Sequence, residues 1–217
     1  MSWLPLNVVL ARWLVPRLLK WGFTANQVTA LSLVAGWVGC VGFVQGTQVG
    51  MVWGAVGFLV ANLLDECDGS VARATGTSSN FGSWFDTIVG ALVHMGFFFS
   101  LGVGLSRQTS EPVWRTAGAL AALGVLLATV CYVLGQVYFR GRTAWLHPDP
   151  PRSARPAGFD RLKGGLRTDF SIVVLVAAVS GWLRWLLLGG LVGAFLFWIP
   201  ADLVSAARLR RGVAQEG

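Results

Sequence analysis

Three carboxylates stand in a part of the sequence that is otherwise apolar: Asp65, Asp68 and Asp86, with Glu66 beside the first. An acidic side chain in a low-dielectric setting is costly, so an acid retained there marks a functional site by default. Asp65 and Asp68 are three residues apart and share one face of a helix. Only a short connection separates their segment from the one that carries Asp86, which predicts an antiparallel pair with Asp86 at the level of Asp68. Three converging carboxylates repel one another. A hard divalent cation bound through oxygen, Mg²⁺ or Mn²⁺, resolves that repulsion and can be shared with the phosphates of a substrate. Gly69 permits close approach of a ligand to the backbone. Arg73, one turn beyond, can pair with an acid or a phosphate. A purely structural ion-pair cluster would set three acids against one arginine and leave charge unbalanced in an expensive place.

The elements that carry these residues belong to a membrane. Of 217 residues, 54% are hydrophobic and 12% charged, with mean hydropathy +0.62. A water-soluble domain carries roughly a quarter charged residues, so a soluble globule is excluded, and the apolar content excludes disorder. Eleven Trp and 28 Gly suit membrane interfaces and close helix packing. Spans of about 20 apolar residues are expected at 26–44, 51–72, 81–105, 113–139, 170–182 and 186–206. The turn Gly181-Trp182-Leu183-Arg184 joins the last two as a hairpin. Residues 3–21 alternate Trp3, Leu10, Trp13 and Leu18 with Arg12, Arg17 and Lys20, the pattern of an amphipathic helix in the membrane interface. Pro5, Arg12, Pro16, Arg17 and Lys20 interrupt any long apolar stretch there, so no cleavable signal peptide is expected.

With the N-terminus inside, 14 of the 17 Lys and Arg fall on the cytoplasmic side, and Arg107, Arg115 and Arg184 fall outside. That asymmetry orients the chain. It also assigns the net charge of +7 to cytoplasmic loops rather than to a nucleic-acid surface. Residues 143–169 read as a basic cytoplasmic linker with a short helix near 159–163. The whole chain reads as one membrane domain. Cys40 and Cys131 lie in apolar runs and read as small packing residues, and the three cysteines have no metal-ligand spacing.

The run Asp65-Glu66-Cys67-Asp68-Gly69-Ser70-Val71-Ala72-Arg73, then eight residues, then Gly82-Ser83-Trp84-Phe85-Asp86, resembles the signature of the CDP-alcohol phosphotransferase family. That signature is D-x-x-D-G-x-x-A-R, eight residues, G-x-x-x-D-x-x-x-D, and seven of its eight fixed positions match here. Thr24-Ala25-Asn26-Gln27-Val28-Thr29 is similar to the family's T-P-N-x-x-T, with Ala25 in place of Pro. The resemblance implies an all-α membrane protein of six spans preceded by an interfacial helix, working as a homodimer with divalent metal. It implies transfer of a phospho-alcohol group from a CDP-linked donor such as CDP-diacylglycerol to a small alcohol, free or phosphorylated, with release of CMP in phospholipid biosynthesis. Asp65, Asp68 and Asp86 would be metal ligands, with Asp86 also at the reaction centre. Asn26, Thr29, Gly69, Ala72, Arg73 and Gly82 would line the nucleotide site. Arg140, Arg142, Lys163 and Arg167 would flank the cavity mouth and meet phosphate.

The signature's last Asp is Gly90 in this chain. In the family that Asp is the proposed general base for the acceptor hydroxyl, and loss of a positioned base typically costs 10²–10⁴-fold. His94, four residues on and on the same face, is a candidate replacement, although it lies roughly 12 Å from Asp86 along the helix at 1.5 Å per residue. Glu66, Asp169 or a phosphate on the acceptor itself are the others. The expectation is a membrane transferase whose site faces the cytoplasm, in the inner membrane of a bacterium. Gly90 keeps open a catalytically silent relative that binds CDP-lipid or nucleotide. A transporter using the acids as an ion site is the remaining alternative.

Overall fold

The computed structural model describes residues 6–140, 159–193 and 195, with side chains described outside 135–140 and 159–169. The described residues are helical: α1 (Leu6–Lys20), α2 (Ala25–Val44), α3 (Gln48–Thr75), α4 (Asn80–Thr109), α5 (Val113–Arg140), α6 (Phe159–Ser180) and α7 (Leu183–Gly193). Local chemistry fixes the helix ends that matter for the carboxylates. Thr24 opens α2 with a reciprocal cap: the Gln27 N–H donates to Thr24 Oγ1 at 3.4 Å, and the Thr24 N–H donates to Gln27 Oε1 at 2.9 Å. The Thr24 that resembled part of a motif is therefore a cap. Ser79 opens α4 by accepting from the Gly82 N–H at 3.0 Å. Each such cap stabilises by about 1 kcal/mol. Gly76 closes α3 at φ 67°, a left-handed conformation that glycine adopts without strain.

α2 is the element on which the site is assembled. It packs along both α3 and α4, whereas α3 and α4 meet each other only sparingly. The expected antiparallel α3–α4 pair is thus held together through a third helix. Glycines let α2 and α3 touch backbone to backbone. A Cβ on Gly57 would lie 2.6 Å from Gly39 Cα, and one on Gly39 would lie 2.8 Å from the Gly54 carbonyl oxygen. Without a hydrophobic drive between helices in lipid, such close contact is what holds them. On the other flank of α2, Phe43 meets Phe97 of α4 edge-on at 5.3 Å. Phe58 of α3 stacks on Phe97 at 4.3 Å, and Phe170 of α6 packs edge-on against both. These rings form an apolar floor linking α3, α4 and α6.

α1 has one buried face. Its Ala11 and Leu18 pack with Val28, Cys67 and Val71, and the Asn7 Nδ2 donates to Ser171 Oγ of α6 at 3.0 Å. Trp13 and Trp21 face outward, with the Arg17 guanidinium 3.3 Å over the Trp13 ring. Leu6, Val9, Leu10 and Trp13 are exposed on α1 together with Arg12 and Lys20, so its outer face mixes apolar and basic side chains.

Among the described residues, four helices are long and apolar enough to cross a membrane: Ala25–Val44, Gln48–Thr75, Asn80–Thr109 and Val113–Leu134. Phe170–Ser180 and Leu183–Gly193 are shorter apolar helices, and the far end of the expected sixth span lies outside the described residues. Large apolar side chains stand exposed along these helices, including Val34, Trp37, Val38 and Val41 on α2. Contiguous exposure of this kind suits a lipid surround rather than water. One boundary differs from expectation. α6 begins at Phe159 and runs unbroken to Ser180, so Lys163 and Arg167 lie on a helix rather than in a linker. Arg161, Lys163 and Arg167 hid this start because an apolar window detects only the apolar part of a helix.

Candidate functional site

The antiparallel run of α3 and α4 brings the three acids together. One oxygen from each of Asp65, Asp68 and Asp86 lies within 4.8 Å of the others. Asp68 is the deepest, at 5% exposure, and the other two are half-buried. Thr29, buried in the second turn of α2, donates through Oγ1 to Asp68 Oδ2 at 2.6 Å. Glu66 stands outside the cluster, and Cys67 points away from it into the packing with α1. The donor set is three carboxylate oxygens on two helices, which fits a hard divalent cation and leaves coordination positions for phosphate oxygens and water.

The mouth of the site is formed by the start of α2, the start of α4 and the last turns of α3. Asn26 is exposed in the first turn of α2, and its Oδ1 lies 3.4 Å from where a Gly82 Cβ would be. The first turns of α2 and α4 therefore adjoin, and their N-terminal partial positive charges face a common region. On α3, the exposed Arg73 donates to Ser70 Oγ at 3.0 Å. Its Nη1 would lie 3.2 Å from a Cβ on Gly69, so the guanidinium lies across that glycine. Arg73 turns to Ser70, and the acid cluster is not assembled around it. Ala72 is half-buried beside it.

Gly90 faces Asp65: a Cβ built there would stand 3.8 Å from Asp65 Oδ1. Position 90 thus points at Asp65 of the cluster. The space it leaves is part of a half-open cavity of about 180 Å³, counted with the solvent at its mouth. His94 borders the same cavity. Its Nδ1 lies 2.8 Å from the Gly90 carbonyl oxygen, and its ring packs edge-on against Phe58 at 5.3 Å. His94 shares this cavity with Asp65. Sequence reasoning missed two further polar residues on this wall, Ser32 and Asn62. Helical spacing gave a signal for both: Asn62 is three residues before Asp65, and Ser32 three after Thr29.

Residues 23–199 match the protein family described as CDP-alcohol phosphatidyltransferase. The chain belongs to that family. Its members are membrane-embedded transferases that act on CDP-linked donors and alcohol acceptors; among its described residues this chain is all-α, with four apolar helices long enough to span a membrane. It is also similar to the "Bifunctional IPC transferase and DIPP synthase" of Aquifex aeolicus (strain VF5), at 26% identity over 110 residues. That match covers 51% of this chain and spans about a quarter, 25%, of the relative's length.

Within this family member, the side chains of Arg140, Lys163, Arg167 and Asp169, and the whole of Arg142, lie outside the described residues.

Proposed function

We propose that the chain is an active CDP-alcohol phosphotransferase. The observation that carries this reading is the closure of Asp65, Asp68 and Asp86 to within 4.8 Å, at the signature positions of a family that acts on CDP-linked donors. Asp65, Asp68 and Asp86 would hold Mg²⁺ or Mn²⁺, which when bound neutralises the donor's pyrophosphate and the leaving CMP. The rest is the work of this chain's own groups. Gly69 and Gly82 leave room for the nucleotide against the helix backbones. Arg73 exchanges Ser70 for a phosphate oxygen. Asn26 and the adjoining helix starts offer donors and positive potential to the anionic donor.

In the transfer, the acceptor oxygen forms a bond to the phosphorus that carries the alcohol group, and the pyrophosphate bridge breaks to release CMP. The acceptor's hydroxyl proton leaves to a base bordering the Gly90 cavity, where Asp65 and His94 stand, or to a phosphate on the acceptor. A CDP-lipid such as CDP-diacylglycerol is the donor best suited to a site opening at the end of spanning helices, and the product class places the reaction in phospholipid synthesis. The charge asymmetry supports a site on the cytoplasmic side; in this reading the membrane is a bacterial inner membrane, α1 lies in its interface and two chains form a homodimer. Kinship with a relative named as a transferase supports the transfer reading over an ion transporter.

The test is CMP release by purified protein from CDP-diacylglycerol with Mg²⁺ and a panel of alcohols. Gly90 favours a second reading, a silent relative that binds the donor without turning it over. Metal-dependent CDP binding with no CMP release for any alcohol would establish that reading instead.

A further inference from the structure

α1 has two unlike faces. On the inner one, Ala11 and Leu18 pack with Val28 of α2 and with Cys67 and Val71 of α3. Val28 precedes Thr29, and Cys67 precedes Asp68. The inner face of α1 therefore lies against the chain neighbours of both partners in the Thr29–Asp68 hydrogen bond. The other end of α1 is tied to α6 by the buried bond from Asn7 Nδ2 to Ser171 Oγ.

On the outer face, α1 exposes Leu6, Val9, Leu10 and Trp13, and Trp21 follows. Cations are interleaved with them. Arg12 and Lys20 are exposed. Arg17 stands 3.3 Å over the Trp13 ring and donates to the Trp13 carbonyl at 2.6 Å, so ring and cation are presented together. No Asp or Glu precedes Asp65 in the chain, so α1 brings no counter-charge of its own. Apolar side chains mixed with cations fit a bilayer surface, where rings and aliphatic groups enter the acyl boundary and cations meet phosphates. The cations also choose the headgroup, because an anionic lipid attracts Lys and Arg at the surface.

α1 draws on outside support. It is 15 residues long, and Pro16 within it removes one backbone hydrogen bond. An isolated helix of that length is marginal in water. A surface that holds its outer face also keeps its inner face seated on Val28, Cys67 and Val71.

We propose that the outer face of α1 binds the headgroups of anionic lipids and thereby steadies the turn of α3 that carries Asp68, so that membrane charge tunes the site. This rests on the interfacial placement and orientation of α1 proposed above, and not on the transfer step.

The experiment follows amide hydrogen exchange of the full chain in nanodiscs of phosphatidylcholine as phosphatidylglycerol is titrated in. Exchange should slow both in α1 and in the last turns of α3. Arg12→Gln with Lys20→Gln changes two exposed side chains, and the half-saturating phosphatidylglycerol should rise by about fivefold for each charge removed. Added salt should weaken the effect in the same way. Leu18→Ala cuts the inner contact, so phosphatidylglycerol should still slow exchange in α1 but no longer in α3. Affinity for CDP with Mg²⁺ should rise by about tenfold with phosphatidylglycerol, the lower end of what an outer partner of a metal ligand contributes. That rise would run against the repulsion of an anionic nucleotide by an anionic membrane. Equal exchange in the two lipids, or an unchanged titration in the double variant, would overturn the lipid surface. Slowing confined to α1 in wild type would overturn its link to Asp68. Absence of CDP binding in every membrane, with the exchange pattern as expected, would sink the nucleotide site and keep this proposal.

Discussion

The buried Thr29 hydroxyl on α2 donates a 2.6 Å hydrogen bond to Oδ2 of the buried Asp68 on α3. The bond spans 39 residues of sequence and ties the second turn of α2 to the deepest carboxylate of the cluster. It occupies one carboxylate oxygen and so fixes which way the other points. Outer partners that orient a ligand typically contribute 10–100-fold to metal affinity. Thr29→Val keeps the shape and removes the donor, so Mn²⁺ affinity, read by electron paramagnetic resonance of the purified protein, should fall by about that 10–100-fold. Thr29→Ser should recover most of it. Equal affinity in Thr29→Val and wild type would show that Asp68 needs no such support.

The cluster itself is tested through the nucleotide. Mg²⁺ or Mn²⁺ should raise affinity for CDP, and Asp68→Asn or Asp86→Asn should abolish that dependence, because each removes one charge from a three-oxygen set. Equal CDP affinity in wild type with and without chelator would sink the metal assignment.

Position 90 offers a gain of function. A Cβ there meets Asp65 Oδ1 at ordinary contact distance, 3.8 Å, so the first carbon of a Gly90→Asp side chain has room and its carboxylate is directed at the cluster. Metal affinity should rise, and CMP release with 3-hydroxypropyl phosphate should increase, at most by the 10²–10⁴ associated with a general base. If metal titration and turnover both stay as in wild type, position 90 does not act on the site.

The glycine seam between α2 and α3 should be intolerant of bulk. Gly57→Leu places a Cβ at 2.6 Å from Gly39 Cα, where the neighbour is backbone and cannot rotate aside. Overpacking of this kind typically costs 1–3 kcal/mol, which should appear as a lowered Tm in detergent. Mn²⁺ affinity should fall with it, because α2 also carries Thr29. A stable variant with unaltered metal binding would mean that the seam does not hold the cluster together.

Topology rests on the 14-to-3 division of Lys and Arg. In a cysteine-free background (Cys40, Cys67 and Cys131 replaced), Ser153→Cys should resist an impermeant thiol reagent added to intact cells and react after permeabilisation. Labelling from outside would invert the assigned orientation.

The sequence by itself determined the helices, because runs of apolar residues and capping residues such as Ser79 act locally, and it placed Asp65 and Asp68 on one face by the helical period. It also pointed to cation binding as the expected chemistry of the cluster, since carboxylates in an apolar setting at this spacing have few uses. Only the tertiary structure decided how the helices are rotated and which one lies between the others. The period says which residues of one helix look the same way. What they look at depends on close packing across several chain segments, here the Gly39, Gly54 and Gly57 contact that seats α2 against α3. From that packing follow the Thr29–Asp68 bond, the sparing contact of α3 with α4, and the meeting of Ser32, Asn62 and His94 around the space at Gly90. None of these is a local property of the chain, because each joins residues on separate helices.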